Sequence, residues 1–155
     1  MRAWRLTRQP HADLSGEGAR VYGGRWNSPG TALVYASERL SLAILEVLVH
    51  TDPDLLPDDY VEVELEIPDR VSRQELRVDD LAEGWRTNVD LTRARGDAWI
   101  RSAASAVLIV PSVLAPAEHN LLINPDHPDA AAVHRASLRP FRFDERLFSR
   151  RRAGN

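Results

Sequence analysis

The sequence predicts one domain of mixed class, α/β or α+β, with mixed β-sheets and flanking helices. Three observations lead there. The chain has 155 residues, 43 % of them hydrophobic, which is the size and composition of one domain with a real core. Segment 60–67, YVEVELEI, alternates strictly between apolar and acidic residues, the period of a half-buried strand. Segment 38–50 is a long apolar run, and a second helical segment at 91–104 is followed by AVLIV at 106–110. Helices and strands thus alternate along one chain without a linker or an internal repeat.

In chain order, residues 4–7 predict a short strand. Residues 8–30 hold five of the eight glycines and read as loop. TALVYA at 31–36 predicts a buried strand, and Ser37 stands where an N-cap for the following helix belongs. That helix is apolar nearly all round, the pattern of a buried helix. Residues 51–59, with aspartates and two prolines, end it in a loop. Segment 60–67 is a strand whose glutamate face belongs in solvent, because adjacent carboxylates repel and no histidine is interleaved. Residues 69–90 predict one or two helices with a connecting loop. A helix over 91–104, a buried strand over 106–110 ended by Pro111, a turn-rich loop over 124–129 and a last strand over 133–138 follow. The predicted domain covers 1–148. Residues 149–155, with Arg150, Arg151 and Arg152, predict a disordered, solvated tail.

Composition excludes whole classes of chemistry. There is no cysteine, so no disulfide, thiolate zinc site, iron–sulfur cluster or cysteine nucleophile. There is no lysine either; all 20 basic residues are arginine, which excludes a Walker A lysine, a Schiff base and a Ser–Lys dyad. G-x-G-x-x-G after a strand, H-E-x-x-H and G-x-S-x-G are all absent. A net charge of −3 argues against nonspecific or direct nucleic-acid binding. The N-terminal residues lack the apolar region of a signal peptide, and the apolar run 40–49 is too short to span a bilayer. These features predict a cytoplasmic protein with no membrane partner.

Two places concentrate reactive groups. Gly23-Gly24-Arg25-Trp26-Asn27-Ser28-Pro29-Gly30 sets an arginine, an indole and an amide among glycines. The planar fork of Arg25 suits a phosphate or pyrophosphate, or else a structural carboxylate. Glu46 stands inside the apolar helix, where an ionised carboxylate needs a partner. Alternatively, Arg39, Glu46 and His50 fall within about 40° of one another on a helical wheel and form a solvent stripe. Asp126, His127 and Asp129 are metal-capable residue types in a proline-rich turn, and the turn itself is reason enough for them.

The run GARVYGGRWNSPGTALVYASERLSLAILEVLVH, with LIVPSVLAPAEHNLLINPDHPD and RPFRFDERLF downstream, closely resembles the RES domain family. The resemblance implies a fold like that of the diphtheria-toxin-like ADP-ribosyltransferases. It also implies a toxin of a bacterial toxin–antitoxin pair that degrades NAD⁺, by hydrolysis or with inorganic phosphate as co-substrate. NAD⁺ is then substrate, and no cofactor or metal is needed. The implied partner is an Xre-type helix-turn-helix antitoxin, in a hetero-oligomer. By position, the resemblance assigns Arg25, Tyr35, Glu46 and Ser112 to catalysis, and Arg5, Arg25, Tyr35 and Ser112 to NAD⁺ binding; Asn120 and Asn124 lie in matching segments.

This chemistry is self-consistent. Nicotinamide leaves NAD⁺ neutral, so no general acid is required, and one carboxylate, Glu46, suffices to face the charge growing on ribose. Tyr35 offers a π-face to the cationic ring, Arg5 and Arg25 hold pyrophosphate, and Ser112 donates or accepts a hydrogen bond. For Tyr35 a core role, and for Ser112 a turn-capping role after Pro111, are the alternatives. Two other functions stay open: a protein mono-ADP-ribosyltransferase, and a non-catalytic nucleotide- or protein-binding module.

Overall fold

A computed structural model describes residues 1–52 and 55–148; the arginine-rich tail predicted at 149–155 lies outside the described residues. Seven strands form one sheet: β1 (Arg2–Arg8), β2 (Val34–Ser37), β3 (Tyr60–Glu66), β4 (Arg73–Glu75), β5 (Val107–Pro111), β6 (His119–Ile123) and β7 (His134–Pro140). Among the described residues, three α-helices accompany them: α1 (Glu17–Tyr22), α2 (Leu40–His50) and α3 (Val89–Ser102). The sheet order is β4-β5-β6-β2-β1-β3-β7. Only β4–β5 is parallel; the other neighbours are antiparallel. The predicted mixed α/β class is the class observed.

Alternation along β3 does what its sequence requires. Val61, Val63 and Leu65 are buried, while two of the glutamates meet side chains of neighbouring strands: Glu64 pairs with Arg2, and Glu66 Oε2 lies 3.7 Å from His134 Nε2. Because successive strand residues point to opposite faces, two separate cores form. Val34, Ala36, Val61, Val63, Leu65, Val107, Leu121 and Ile123 belong to one. Tyr35, Leu108, Val110 and Leu122 belong to the other, with Trp26, Leu33, Trp85 and Trp99.

Several local expectations are corrected. The glycine-rich region 8–30 is not all loop, since α1 forms within it. Ser37 is not the cap of α2: it is the last residue of β2, and Arg39 stands at the N-cap with no side-chain bond. Nor is α2 buried all round. It packs on β1 and β2, so only Leu42 and Ala43 are fully buried, and Leu45 and Val49 remain 46 % and 55 % exposed. Residues 69–88 hold no α-helix; they form β4, a 3-10 turn at Val78–Asp80 and loop, and α3 begins only at Val89. Strand β6, unforeseen, pairs with both β2 and β5 at the centre of the sheet. Helix α3 lies within two residues of its predicted span and is capped by Asn88, whose side chain accepts from the Asp90 N–H (3.0 Å).

Candidate active site

A cavity of about 510 Å³ opens between β1, β2, α2 and the segment 23–26, within the range of small-molecule sites. Arg5, Arg25, Tyr35 and Glu46 all line it, as do Trp4 and Asn120. Four of the five residues assigned by resemblance thus meet in one cavity, although they come from a strand, a loop, a second strand and a helix.

The segment around Arg25 is fastened from two sides. From α3, Arg93 Nε donates to the Gly24 carbonyl (2.8 Å), Thr92 Oγ1 to the Arg25 carbonyl (2.6 Å), and Asp97 accepts from the Ser28 N–H (3.0 Å) and hydroxyl (2.6 Å). Thr92 and Gly96, and likewise Arg93 and Asp97, are four residues apart and share a helix face. Gly96 has to be glycine: a Cβ there would lie 1.8 Å from the Trp26 carbonyl oxygen. From the sheet, the Tyr35 hydroxyl accepts from the Trp26 N–H (2.9 Å) and donates to Asn27 Oδ1 (2.7 Å). Gly24 lets the tyrosine in, since a Cβ at that position would meet its hydroxyl at 2.5 Å. Asn27, fully buried, spends its amide on the carbonyls of Ala19 (2.8 Å) and Thr31 (2.9 Å).

Tyr35 both fastens the loop and lines the cavity. Its hydroxyl is a fixture of the loop, and burial raises its pKa well above the ordinary tyrosine value, so it stays neutral at physiological pH. The Arg25 guanidinium is held only by long contacts to the carbonyls of Arg86 (3.3 Å) and Trp85 (3.5 Å). No carboxylate pins it among the described residues. Arg5 donates to the Asp13 carbonyl (2.9 Å); burial lowers its pKa and the Asp13 carboxylate opposes the shift, but a guanidinium remains charged. Two guanidinium groups beside one cavity make it a place for an anionic ligand with several oxygens.

Glu46 is not part of a free solvent stripe. One carboxylate oxygen, Oε1, accepts from Asn120 Nδ2 at 2.7 Å, and Asn120 Oδ1 in turn accepts from the Ser37 hydroxyl at 2.7 Å. Arg39 is exposed at the N-cap, while His50 lines the cavity at the other end of the helix.

Ser112 is placed apart from the other four. It is fully buried and not among the cavity-lining residues. Its Oγ accepts from the N–H groups of Leu114 and Ala115, both at 3.1 Å, closing the turn after β5. That is the capping role a serine after a strand-ending proline readily takes. Asn124 is likewise structural, accepting from the Asp126 N–H at 3.1 Å. In the neighbouring turn, Asp129 accepts from the Ser72 N–H (3.1 Å) and His127 Nδ1 from the Asp129 N–H (3.1 Å). Sequence reasoning missed Ser37 and the clamp from α3. The glycine in mid-helix and the Thr92/Gly96, Arg93/Asp97 spacing were the available signals for the clamp; nothing local signalled Ser37.

The RES domain profile matches residues 2–144. The chain is 42 % identical over 139 residues to the Prs ADP-ribosylating toxin of Sphingobium sp. (strain YBL2), covering 87 % of this chain and 86 % of that protein. It is 37 % identical over 147 residues to Toxin Res of Pseudomonas putida, covering 94 % of this chain and 98 % of that protein. Its fold matches a chain in the crystal structure of the M. tuberculosis MbcT-MbcA toxin-antitoxin complex, with a TM-score of 0.71 at 20 % identity, over 98 % of this chain and 88 % of that one. Matched along nearly its whole length by the domain profile and by full-length relatives, the chain belongs to the RES domain family.

Proposed function

We propose that this toxin-family domain cleaves the nicotinamide–ribose bond of NAD⁺. The observation that carries the reading is the convergence of Arg5, Arg25, Tyr35 and Glu46 on one cavity, with Glu46 the carboxylate among them. Two guanidinium groups match a pyrophosphate, and an aromatic ring matches a cationic pyridinium. When the C–N bond breaks, its electron pair goes to the nicotinamide nitrogen and cancels the ring charge, while positive charge grows on the ribose. Glu46 opposes that charge, an interaction strongest in the transition state. An acceptor oxygen, from water or inorganic phosphate, then bonds to the anomeric carbon; with water, the surplus proton passes to solvent. Ser112 has no contact in this scheme; it shapes the turn that presents Leu114 to the cavity.

A second acceptor is favoured by one observation. A relative 42 % identical to this chain is named an ADP-ribosylating toxin, so transfer of ADP-ribose to a protein is the alternative outcome at the same site. The partner that fits the toxin reading is an antitoxin of the Xre helix-turn-helix type, in line with the complex in which the structural neighbour was solved.

Purified protein incubated with NAD⁺, with and without phosphate, is expected to release nicotinamide. A parallel reaction in lysate with labelled NAD⁺ reports protein modification. Glu46→Gln is expected to lose roughly 10²–10³ in turnover while keeping its melting temperature. Arg25→Lys is expected to lose NAD⁺ affinity despite the retained charge, because an ammonium has no fork. Folded wild-type protein that neither consumes NAD⁺ nor labels any protein would refute the enzyme reading.

A further inference from the structure

We infer that Asn120 and Ser37 are positioning residues that aim the Glu46 carboxylate, acting as a directional hydrogen-bond relay from the sheet. The inference rests on Glu46 being the reacting carboxylate, and it names what makes that carboxylate usable.

The relay is built by strand register. Ser37, the last residue of β2, is the antiparallel partner of Asn120 on β6. Their side chains meet on the same face of the sheet, where α2 presents Glu46. The chemistry allows one orientation. An ionised carboxylate accepts hydrogen bonds only, so the end of the amide facing Glu46 has to be its NH₂. That turns Oδ1 toward Ser37, whose hydroxyl donates to it. Both links are 2.7 Å, and Ser37 is 3 % exposed. With the amide oxygen occupied, the Asn120 side chain has no equally good flipped state. Oε1 of Glu46 is thereby tied to the sheet, and the carboxylate is held against rotation about its own chain.

The arrangement matters because α2 alone would aim Glu46 poorly. The helix is only partly buried, and glutamate has three freely rotating side-chain bonds. A carboxylate that stabilises charge on a sugar carbon works through its placement, and misplacement by about 1 Å costs on the order of 10²-fold. Asn120 and Ser37 line the same cavity, so the relay belongs to the site wall and not to the packed interior.

The test uses the full-length protein and two independent readouts. The first needs no turnover: the Asn120 side-chain NH₂ signals in a ¹H–¹⁵N spectrum are expected to move in Glu46→Gln and in Ser37→Ala. The second is steady-state kinetics. Asn120→Asp keeps the shape but faces Glu46 with a second carboxylate, and is expected to lose about 10²-fold in kcat with KM for NAD⁺ nearly unchanged. Ser37→Ala is expected to show the same split, smaller, and Ser37→Thr, which keeps the hydroxyl, to restore kcat. A variant that merely disturbs packing would lower the melting temperature without this split. If Asn120→Asp does not fold, the Ser37→Ala and Ser37→Thr pair carries the kinetic arm alone. Unmoved NH₂ signals overturn the relay, as do wild-type kcat values in the folded variants or losses confined to KM. Wild-type protein inactive on NAD⁺ overturns the enzyme reading instead, and the NH₂ signals still decide whether the relay exists.

Discussion

The two faces of the central sheet are made from different materials. One is covered by valine, alanine, leucine and isoleucine from the strands, with Ala12, Val71 and Val133 closing it from the connections. The other holds Trp26, Trp85 and Trp99, and the fourth tryptophan, Trp4, lines the cavity. On the aliphatic face the contacts are apolar and tolerant of small shifts. On the aromatic face side chains bond to backbone: Arg93 to Gly24, Thr92 to Arg25, Tyr35 to Trp26. The two faces divide the labour. Non-directional burial on one face stabilises the sheet, and directional bonds on the other hold an irregular loop, with Arg25 at its tip, in one shape.

That division is breakable by substitution. Leu65, fully buried on the aliphatic face, gives the largest expected effect on stability. Leu65→Ala should cost about 2–5 kcal/mol, yet molecules that remain folded should turn over NAD⁺ at the wild-type rate. Calorimetry and activity on the same sample check this, and a matching loss of activity per folded molecule would show that the faces are not separable. Gly96→Ala comes next. Its Cβ collides with the Trp26 carbonyl, and overpacking of this kind costs about 1–3 kcal/mol. Here activity should fall further than stability, because the displaced segment carries Arg25; a fully active Gly96→Ala protein would remove α3 from the site's support.

Tyr35→Phe acts on the aromatic face from inside the site. It leaves the Trp26 N–H and Asn27 Oδ1 without their partner, at a cost of roughly 1–3 kcal/mol, and keeps the ring. Lower Tm with retained NAD⁺ binding is expected. Lost binding at unchanged Tm would mean that the hydroxyl itself meets the ligand. The smallest effect belongs to the rim, which serves neither face. Arg8 holds the Asp59 carboxyl below the ordinary carboxylate range through bonds of 2.8 and 2.9 Å, and Arg2 does the same for Glu64. A depressed native pKa stabilises the fold above the unfolded-state value and is lost as pH falls through the native one. Acid titration of stability should therefore show a slight weakening below pH ~4, shallower in Asp59→Asn. Salt should reduce it further, since these pairs are exposed.

How far the sequence carries the molecule depends on the range of the information. Period-two alternation located β3 and its buried side, and α2 and α3 were located within two residues of their ends, although the apolar run of α2 did not reveal that Leu45 and Val49 stay exposed. The chain also displayed Arg25, Tyr35 and Glu46 as a family pattern. What it did not display was distance. β6 reads H-N-L-L-I, too short and too irregular to announce a strand, and it becomes one because β2 and β5 supply partners on both sides. Residues 69–90 have a polar composition compatible with a helix, but β5 recruits three of them as a parallel edge. Ser37 looks like a helix cap in one dimension; pairing with Asn120, 83 residues away, makes it the first link to Glu46 instead. Ser112 was assigned to the site by position, and the turn after β5 directs its hydroxyl to the backbone. By itself, then, the sequence determined the mixed class, the main periodic elements and the identity of the charged and aromatic groups. Tertiary structure alone decided which of those groups share a cavity and which way they are aimed, because strand register and cross-chain hydrogen bonds are set by partners that no local window contains.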